Sequence, residues 1–229
     1  MKSEEIREKF RKFFESKGHA WVPSSSLIPD DPSVLLTTAG MQQFKPYFLG
    51  KADPIKDFGS KNTASIQKCF RTSDIDEVGD ETHLTFFEMA GHFSFGDYFK
   101  KKTIVWTYEL LTKEFSVAEN RIIATVFGGD ATVPFDKESF DAWAKLLPMS
   151  QVKKGSRSDN FWGPAGAEGP CGVANEVYVD GVEVATLVFI EYNCAPDGTF
   201  TPLSKKGVDV GWGFDRLVRL LENKDTVFE

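Results

Sequence analysis

Two arginines in this chain stand where a side chain could hold a phosphate or a carboxylate. The first, Arg71, follows Cys69-Phe70 at the expected end of a strand, just before a loop. A guanidinium in that position can form a bidentate clamp on either anion. The alternative is an ion pair with one of the acidic residues that follow in the loop, and the segment alone leaves both roles open.

The second arginine follows a pair of glycines, in the segment Gly211-Trp212-Gly213-Phe214-Asp215-Arg216. Glycine lets a ligand approach the backbone closely, and the apolar residues after it have the spacing of a helix. Arg216 lies about 200° from Phe214 around that helix, so it points away from the apolar stripe. It is therefore either a ligand contact or an ordinary surface residue.

A third segment is rich in glycine and proline and runs from Phe161-Trp162-Gly163-Pro164 to Gly169-Pro170-Cys171-Gly172. It is either a plain loop or a loop that contacts a ligand closely. The chain has no GxxxxGK[ST] phosphate loop, no GxGxxG fingerprint and no GxSxG nucleophile elbow. These patterns mark the common nucleotide sites and serine hydrolases, so neither is indicated.

The elements that must position these residues follow from hydrophobic spacing and turn residues. Ser3 caps a first helix, which carries Ile6, Phe10, Phe13 and Phe14 inward and ends at Gly18. Further helices are expected at 102–115, 136–147 and 213–222. Strands are expected at 34–38, 64–72, 82–91, 121–127, 175–179 and 185–192, with a loop over 150–173 and a hairpin turn at Asp180-Gly181.

In the strand at 82–91, alternation places Thr82, Leu84 and Phe86 on one face and His83, Thr85 and Phe87 on the other. Runs of strands with peripheral helices, without regular βαβ alternation, favour an α+β fold with a largely antiparallel sheet flanked by helices. No internal repeat or dividing linker appears, so residues 1–229 are expected to form one large domain.

Composition excludes several classes of protein. The net charge is −7 and the pI is near 5.1, so the chain is not a general nucleic-acid coat. No apolar run approaches the ~18 residues of a membrane span, and the N-terminus is too charged for a signal peptide. Three Cys and three His without CxxC or HExxH spacing predict no structural zinc, no disulfide framework and a reducing cytoplasm.

Taken in order, four segments carry a family resemblance: 24–50 (SSSLIPDDPSVLLTTAGMQQFKPYFLG), 69–99 (CFRTSDIDEVGDETHLTFFEMAGHFSFGDYF), 158–172 (SDNFWGPAGAEGPCG) and 207–217 (GVDVGWGFDRL). Together the chain resembles the N-terminal catalytic domain of the alanyl-tRNA synthetase family, of class II. The resemblance implies an antiparallel sheet of six or more strands that binds ATP in a bent shape.

The resemblance also assigns site residues. Arg71, at the motif 2 arginine, would hold the α-phosphate of ATP and the carboxylate of the amino acid. Phe87 would stack on adenine, with Arg216 of motif 3 on the other face of the ring and near the γ-phosphate. The expected ATP contacts are Arg71, His83, Phe87, Glu88, Gly213 and Arg216.

For the amino acid, the resemblance assigns Met41, Arg71, Trp162, Thr186, Val188 and Gly211 around a small side chain, and Asp209 to the ammonium group. As isolated residues, Met41, Trp162 and Val188 would be read as core. Family members usually carry Asn at the position of Thr186, so a hydrogen bond to the substrate can differ here. Glu176 is the candidate Mg²⁺ ligand.

The implied reaction joins alanine to ATP, giving alanyl-adenylate and pyrophosphate, and passes the alanyl group to the 3′ end of a tRNA. The cofactors and partners implied are ATP, Mg²⁺, alanine and a tRNA acceptor stem. Five acids in the motif 2 loop (Asp74, Asp76, Glu77, Asp80 and Glu81) would repel that stem. The helical tRNA-binding, editing and C-terminal domains of the family are not expected within residues 1–229. The chain would then be either truncated or a free-standing relative; we expect truncation, a monomer and weak tRNA charging.

Two other interpretations remain open at this level. The chain could be a paralogue that activates another small amino acid or uses a non-tRNA acceptor, which Thr186 and Trp212 motivate. It could also be a catalytically silent relative that serves as a binding module, although retention of Arg71, Phe87, Asp209 and Arg216 argues against this.

Overall fold

The computed structural model describes residues 1–30, 34–163 and 168–229. Parts of two predicted segments, Asp31 to Ser33 and Pro164 to Ala167, lie outside the described residues. The helices are α1 (Ser3–Ser16), α2 (Lys45–Phe48), α3 (Pro54–Phe58), α4 (Lys100–Glu109), α5 (Lys137–Trp143), α6 (Arg157–Asn160) and α7 (Phe214–Glu222). The strands are β1 (Ala20–Trp21), β2 (Asn62–Phe70), β3 (Phe86–Phe95), β4 (Ile122–Phe127), β5 (Val152–Gly155), β6 (Phe161–Trp162), β7 (Gly169–Val179), β8 (Val182–Cys194) and β9 (Phe200–Gly213).

The predicted α+β class is confirmed. The chain divides into two compact units, one formed by residues 1–93 with 211–229 and the other by residues 94–210. Of the pairings with a defined register, β4–β7, β6–β7 and β7–β8 are antiparallel, while β1–β2 and β4–β5 are parallel. Helices flank the strands in both units.

The first helix of unit 1 forms as the apolar spacing predicts. Its stripe is buried at Ile6, Phe10, Phe13 and Phe14, and Glu4 and Glu5 lie in its first turn, where the positive end of the helix dipole stabilises them. Gly18 follows the last turn at φ +86°, a conformation that suits glycine.

One detail of α1 was wrong in the sequence prediction. Ser3 is the first helical residue rather than the cap, because its hydroxyl donates to the neighbouring carboxylate of Glu4 instead of capping the backbone, and Lys2 is the N-cap.

The strands of unit 1 are β1, β2 and β3, in that order across the sheet. β1 pairs in parallel with β2, with Ala20 opposite Thr63. Phe44 packs with its ring centroid 4.5 Å from that of Phe93 on β3, and Phe10 of α1 packs edge-on to Trp212. The core of this unit is therefore strongly aromatic.

Two strand predictions in unit 1 were wrong. Residues 34–38 are irregular: Thr37 donates its N–H to the carbonyl of Leu27, and Leu35 is 94% exposed. Residues 82–85 belong to the loop before β3, so the predicted faces of His83 and Thr85 do not exist. The reason is local, since one carboxylate oxygen of Asp80 accepts both the Thr82 N–H (2.7 Å) and the His83 N–H (2.8 Å) and bends the chain.

The strands of unit 2 follow the order β9-β8-β7-β4-β5. β7 and β8 join at the predicted hairpin turn, where Asp180 and Gly181 have φ of 51° and 82°. Two consecutive residues with positive φ define the turn that matches the twist of a two-residue hairpin, so this prediction is confirmed.

The expected loop over 150–173 was wrong in part. It contains β5, α6, β6 and the start of β7, and β5 lies parallel to β4 with Ala124 opposite Val152. β9, which is 14 residues long, was missed altogether. Both errors concern strands defined by pairing with distant segments rather than by a local pattern.

The cysteines also differ from expectation. Cys171 on β7 and Cys194 on β8 are joined in a disulfide with their Cα atoms 5.9 Å apart, and Cys69 is a buried free thiol. The prediction of no disulfide was wrong because the spacing of 23 residues carries no signal until β7 and β8 pair. In the part of the chain that the structure describes, no helix has both the length and the apolar character needed to span a bilayer.

We predict that denatured protein, unfolded without reductant, contains one thiol per chain, that of Cys69. Replacing Cys171 and Cys194 together by serine should lower the free energy of unfolding by about 3 kcal/mol, because the cross-link restricts the unfolded chain. A thiol titration and urea unfolding measure both quantities. Three thiols per chain in the unreduced protein would contradict the pairing.

Candidate active site

Arg71 lies directly after β2, at the strand end that the sequence indicated. Its N–H donates to the carbonyl of Thr85 (2.9 Å), and its Nη2 donates to the carbonyl of Thr38 (3.0 Å). The guanidinium carbon lies 5.3 Å from the centroid of the Phe87 ring on β3. These contacts hold the guanidinium over a flat aromatic surface.

The ion pair that was the alternative role for Arg71 exists but is weak. The nearest Arg71–Asp74 distance is 3.8 Å, and the two side chains are 35% and 43% exposed. Exposed pairs at this distance contribute little to stability. Arg71 can therefore release Asp74 and bind a more highly charged anion in its place.

Arg216 lies in the first turn of α7 and is oriented by two acceptors. Its Nε donates to the carbonyl of Thr82 (3.3 Å), and its Nη2 lies 3.2 Å from Nε2 of His83. A Cβ at Gly213 would stand 3.0 Å from Cδ of Arg216. Gly213 therefore gives the arginine side chain room to fold back along the helix toward the loop.

His83 is itself held by acidic residues of its loop. Its Nδ1 lies 2.7 Å from Oδ2 of Asp80, and its Nε2 lies 3.1 Å from Oε2 of Glu77. Hydrogen bonds from the Thr82 N–H and from the His83 side chain hold the pKa of Asp80 well below its usual range.

Glu77, Asp80 and His83 offer three possible metal-ligand atoms within 4.8 Å of one another. The cationic side chain of Arg216 already lies against the imidazole, however. We therefore interpret the cluster as a hydrogen-bond network rather than as a metal site.

Glu88, an expected ATP contact, is engaged within the protein. Its carboxylate pairs with Arg7 of α1 at 2.5 Å, and its backbone N–H donates to the carboxylate of Asp215 at 2.9 Å. Arg7 also lies over the ring of Phe214. Burial raises the pKa of Asp215. The first turn of α7, which carries Arg216, is thus fastened to both β3 and α1.

Met89 is a residue that sequence reasoning missed. A Cβ at Gly211 would stand 3.0 Å from its sulfur, and the sulfur lies 3.3 Å from the backbone N of Gly40. The thioether therefore fills the space that two glycines leave open. A methionine on a strand has no sequence signal for this role.

Met41 is 4% exposed, which agrees with either a core or a pocket role.

In unit 2, three of the residues predicted for the amino acid lie on β8 and β9. Val188 and Thr186 share a face of β8, because Val188 is opposite Ala174 and Thr186 is opposite Glu176 on β7. The hydroxyl of Thr186 donates to Glu183 at 2.6 Å. Asp209 lies on β9 and is 7% exposed, and burial raises its pKa to about 7.

Glu176 is half-buried and accepts a hydrogen bond from the hydroxyl of Tyr178 (2.7 Å). Burial raises its pKa, and the nearby carboxylates of Glu183 and Asp159 raise it further. A divalent cation would relieve that repulsion, so the donor chemistry fits the expected Mg²⁺ ligand.

Trp162 lies on β6, opposite Gly172. A Cβ at Gly172 would collide with the carbonyl oxygen of Phe189, and Gly163 has φ +89°. At these two positions, glycine is therefore needed for close backbone packing. This accounts for part of the glycine-rich segment without a ligand.

Comparison with known proteins gives a family and close relatives. The family model described as "tRNA synthetases class II (A)" matches residues 5–229. An alanine–tRNA ligase of Rubrobacter xylanophilus is 44% identical over 257 residues, which cover 100% of this chain and 29% of that protein. One of Treponema denticola is 41% identical, covering 98% of this chain and 40% of that protein. The chain thus spans well under half the length of these relatives.

Solved structures agree on the fold. A pyrrolysyl-tRNA synthetase of Desulfitobacterium hafniense aligns with a TM-score of 0.56 at 12% identity, covering 97% of this chain and 70% of the other. A putative aspartyl-tRNA synthetase of Leishmania major aligns with a TM-score of 0.58 at 13% identity, covering 99% and 62%. At such identities the likeness concerns the fold alone.

We predict that Asp215→Ala lowers the free energy of unfolding by about 2 kcal/mol, because it removes the acceptor of the Glu88 N–H. Asp215→Asn should lose less than half of that amount, since the amide oxygen can still accept. Urea unfolding measures both, with the exposed Asp76→Ala as the control. Equal losses for the alanine and asparagine variants would contradict the role of this hydrogen bond.

Proposed function

The chain belongs to the class II (A) tRNA synthetase family, and from this premise we propose that it activates alanine with ATP, forming alanyl-adenylate. Class II synthetases in general use ATP and a divalent metal. The observation that carries the proposal is the setting of Arg71, held over the Phe87 ring at the end of β2. Similarity to alanine–tRNA ligases along the whole chain supports alanine as the substrate.

In this proposal, unit 1 supplies the donors for the nucleotide. Phe87 offers a face for adenine, while Arg71 binds the α-phosphate and the alanine carboxylate. A carboxylate oxygen of alanine attacks the α-phosphorus, and the bond from that phosphorus to the oxygen leading to the β-phosphate breaks, releasing pyrophosphate. Negative charge grows on the phosphate oxygens during this step, and a fixed guanidinium stabilises it. Arg216 contributes a second positive charge near the γ-phosphate.

The remaining proposed residues serve the amino acid. Asp209 pairs with the ammonium group in its ionised form, while Val188 and Trp162 limit the size of the side chain. The buried position of Asp209 supports this assignment, because an unpaired buried carboxyl is costly to ionise and gains most from a bound cation. Gly211 and Met41 complete the set.

Mg²⁺, when bound, would balance charge on the phosphates. Glu176 is the residue proposed to hold it, through a half-buried carboxylate with acidic neighbours. Transfer of the alanyl group to tRNA, weak tRNA binding by this length of chain, a monomeric state and a cytoplasmic location remain predictions.

A second candidate function is activation of a different small amino acid. The observation that favours it is the hydrogen bond from Thr186 to Glu183, which places a short hydroxyl beside Val188. A partly buried hydroxyl and an adjacent carboxylate could accept a polar side chain in place of a methyl group. Discrimination by one such group amounts to about 1–3 kcal/mol, so the amino-acid panel must be measured.

We predict that Arg71→Lys lowers the rate of alanine-dependent ATP–pyrophosphate exchange by at least about a thousandfold, since an ammonium cannot reproduce the bidentate clamp. Arg121→Lys is the matched control, because Arg121 pairs with Asp180 at the β7–β8 hairpin turn of unit 2 and has no proposed role in the reaction. The exchange rate of this variant should change less than about twofold. Exchange that survives Arg71→Lys would remove Arg71 from the reaction.

We also predict that alanine binds more tightly as the pH rises from about 6 to about 8. The pKa of Asp209 is about 7 without substrate, so a proton must leave before the carboxylate can pair with the ammonium group. Calorimetry in two buffers of different ionisation enthalpy measures the proton release. Asp209→Asn should weaken binding and abolish the pH dependence. A pH-independent affinity in the unchanged protein would contradict the pairing.

A further inference from the structure

We propose that Asp80 is a positioning residue for Arg216 and acts through the imidazole of His83. In this arrangement, Asp80 keeps the ring proton on Nδ1, so that Nε2 presents a lone pair to Arg216. The inference rests on the proposed function, in which Arg216 serves ATP. It concerns a loop residue that the family resemblance does not assign to the site.

A guanidinium can only donate hydrogen bonds. Every nitrogen of an arginine side chain is a donor, so a group that binds it must accept. Nη2 of Arg216 lies 3.2 Å from Nε2 of His83. That contact is favourable only if Nε2 carries no proton. The neutral ring must then carry its proton on Nδ1.

Asp80 supplies the acceptor for that proton. Its Oδ2 lies 2.7 Å from Nδ1, which is closer than the Thr82 hydroxyl at 3.3 Å. The other oxygen, Oδ1, accepts the Thr82 and His83 backbone N–H groups. With the imidazole Nδ1 and the weaker contact of the Thr82 hydroxyl, these donors converge on one carboxylate and fix its orientation. An ionised carboxylate can only accept, so it selects the Nδ1–H tautomer.

The same turn carries the second acceptor for Arg216. The carbonyl of Thr82 accepts a hydrogen bond from Nε of Arg216 at 3.3 Å. Thr82 is also one of the two residues whose backbone N–H groups donate to Asp80. Asp80 therefore organises these two acceptors of Arg216. Removing its negative charge should weaken the contact of Arg216 with them.

A rival arrangement involves Glu77, whose Oε2 lies 3.1 Å from the same Nε2. A doubly protonated ring could pair with Glu77 and Asp80 together. It would then place an N–H and a positive charge against Nη2 of Arg216, which is repulsive. Glu77 is also 62% exposed, so solvent competes for its charge. The two arrangements differ in the number of ring protons, which can be measured.

The first experiment measures which nitrogens of the His83 ring carry a proton. It uses NMR of the protein labelled with ¹⁵N in its histidines, at mildly alkaline pH. The chain has three histidines, and His83→Gln assigns the signal. We expect Nδ1 to be protonated and Nε2 to be unprotonated. In Asp80→Asn, the amide would present an N–H to Nδ1, so the proton should move to Nε2. Two protonated nitrogens, or an unchanged tautomer in Asp80→Asn, would overturn the proposal.

The second experiment compares kinetics. Asp80→Asn should raise the KM for ATP in pyrophosphate exchange about tenfold, the expected cost of a charge-assisted hydrogen bond, and leave the KM for alanine within about twofold. Asp76→Asn makes the same charge change in the same loop and should leave both within about twofold. Equal effects of the two substitutions would overturn the proposal. In the His83→Gln background, Asp80→Asn should add less than about twofold, whereas a full additional loss would mean that Asp80 does not act through His83.

Thermal unfolding of Asp80→Asn separates this role from a merely structural one, since Tm should stay close to that of Asp76→Asn. The two hypotheses also fail differently. A chain that is silent in exchange with every amino acid contradicts the proposed function, while the histidine tautomer still decides whether Asp80 orients Arg216.

Discussion

The hydrogen bond from the Glu88 backbone N–H to the carboxylate of Asp215 joins two segments that lie 127 positions apart in the chain. It fastens the first turn of α7 to β3, and the Arg7–Glu88 ion pair fastens α1 to the same point. Arg216 is the next residue after Asp215, so its location depends on that attachment. The hydrogen bond from the Glu88 N–H to Asp215 fixes the position of the Arg216 backbone, and the turn held by Asp80 fixes the direction of the Arg216 side chain.

The two units carry opposite chemistry. Unit 1 presents guanidinium groups and an aromatic face, which suit a nucleotide, whereas unit 2 presents carboxyl groups, which suit an ammonium group or a cation. The chain as a whole has a charge of −7, so a nucleotide would have to be bound by individual positive side chains such as Arg71 and Arg216 rather than by a generally positive surface.

Much of this could be read from the sequence wherever the determinant is local. The apolar stripes of α1 and α7 and the Asp180-Gly181 turn are such cases, and Arg71 and Arg216 stood out by residue type and setting. β9, β5 and the Cys171–Cys194 bond could not be read, because each is defined by a partner distant in sequence. The same limit applies inside the site: Met89 packs against glycines from two distant segments. Residues 82–85 had the alternation of a strand, but the hydrogen bonds that the Asp80 carboxylate accepts from the Thr82 and His83 N–H groups prevailed over it.

The most direct test of the account is ATP–pyrophosphate exchange by the unchanged chain, with Mg²⁺ and a panel of amino acids that includes alanine, glycine and serine. The account predicts exchange that depends on an amino acid and is fastest with alanine. Faster exchange with another amino acid would contradict alanine as the substrate while retaining the activation chemistry. If a folded protein showed no exchange with any amino acid, that result would contradict the proposal that this chain activates an amino acid with ATP.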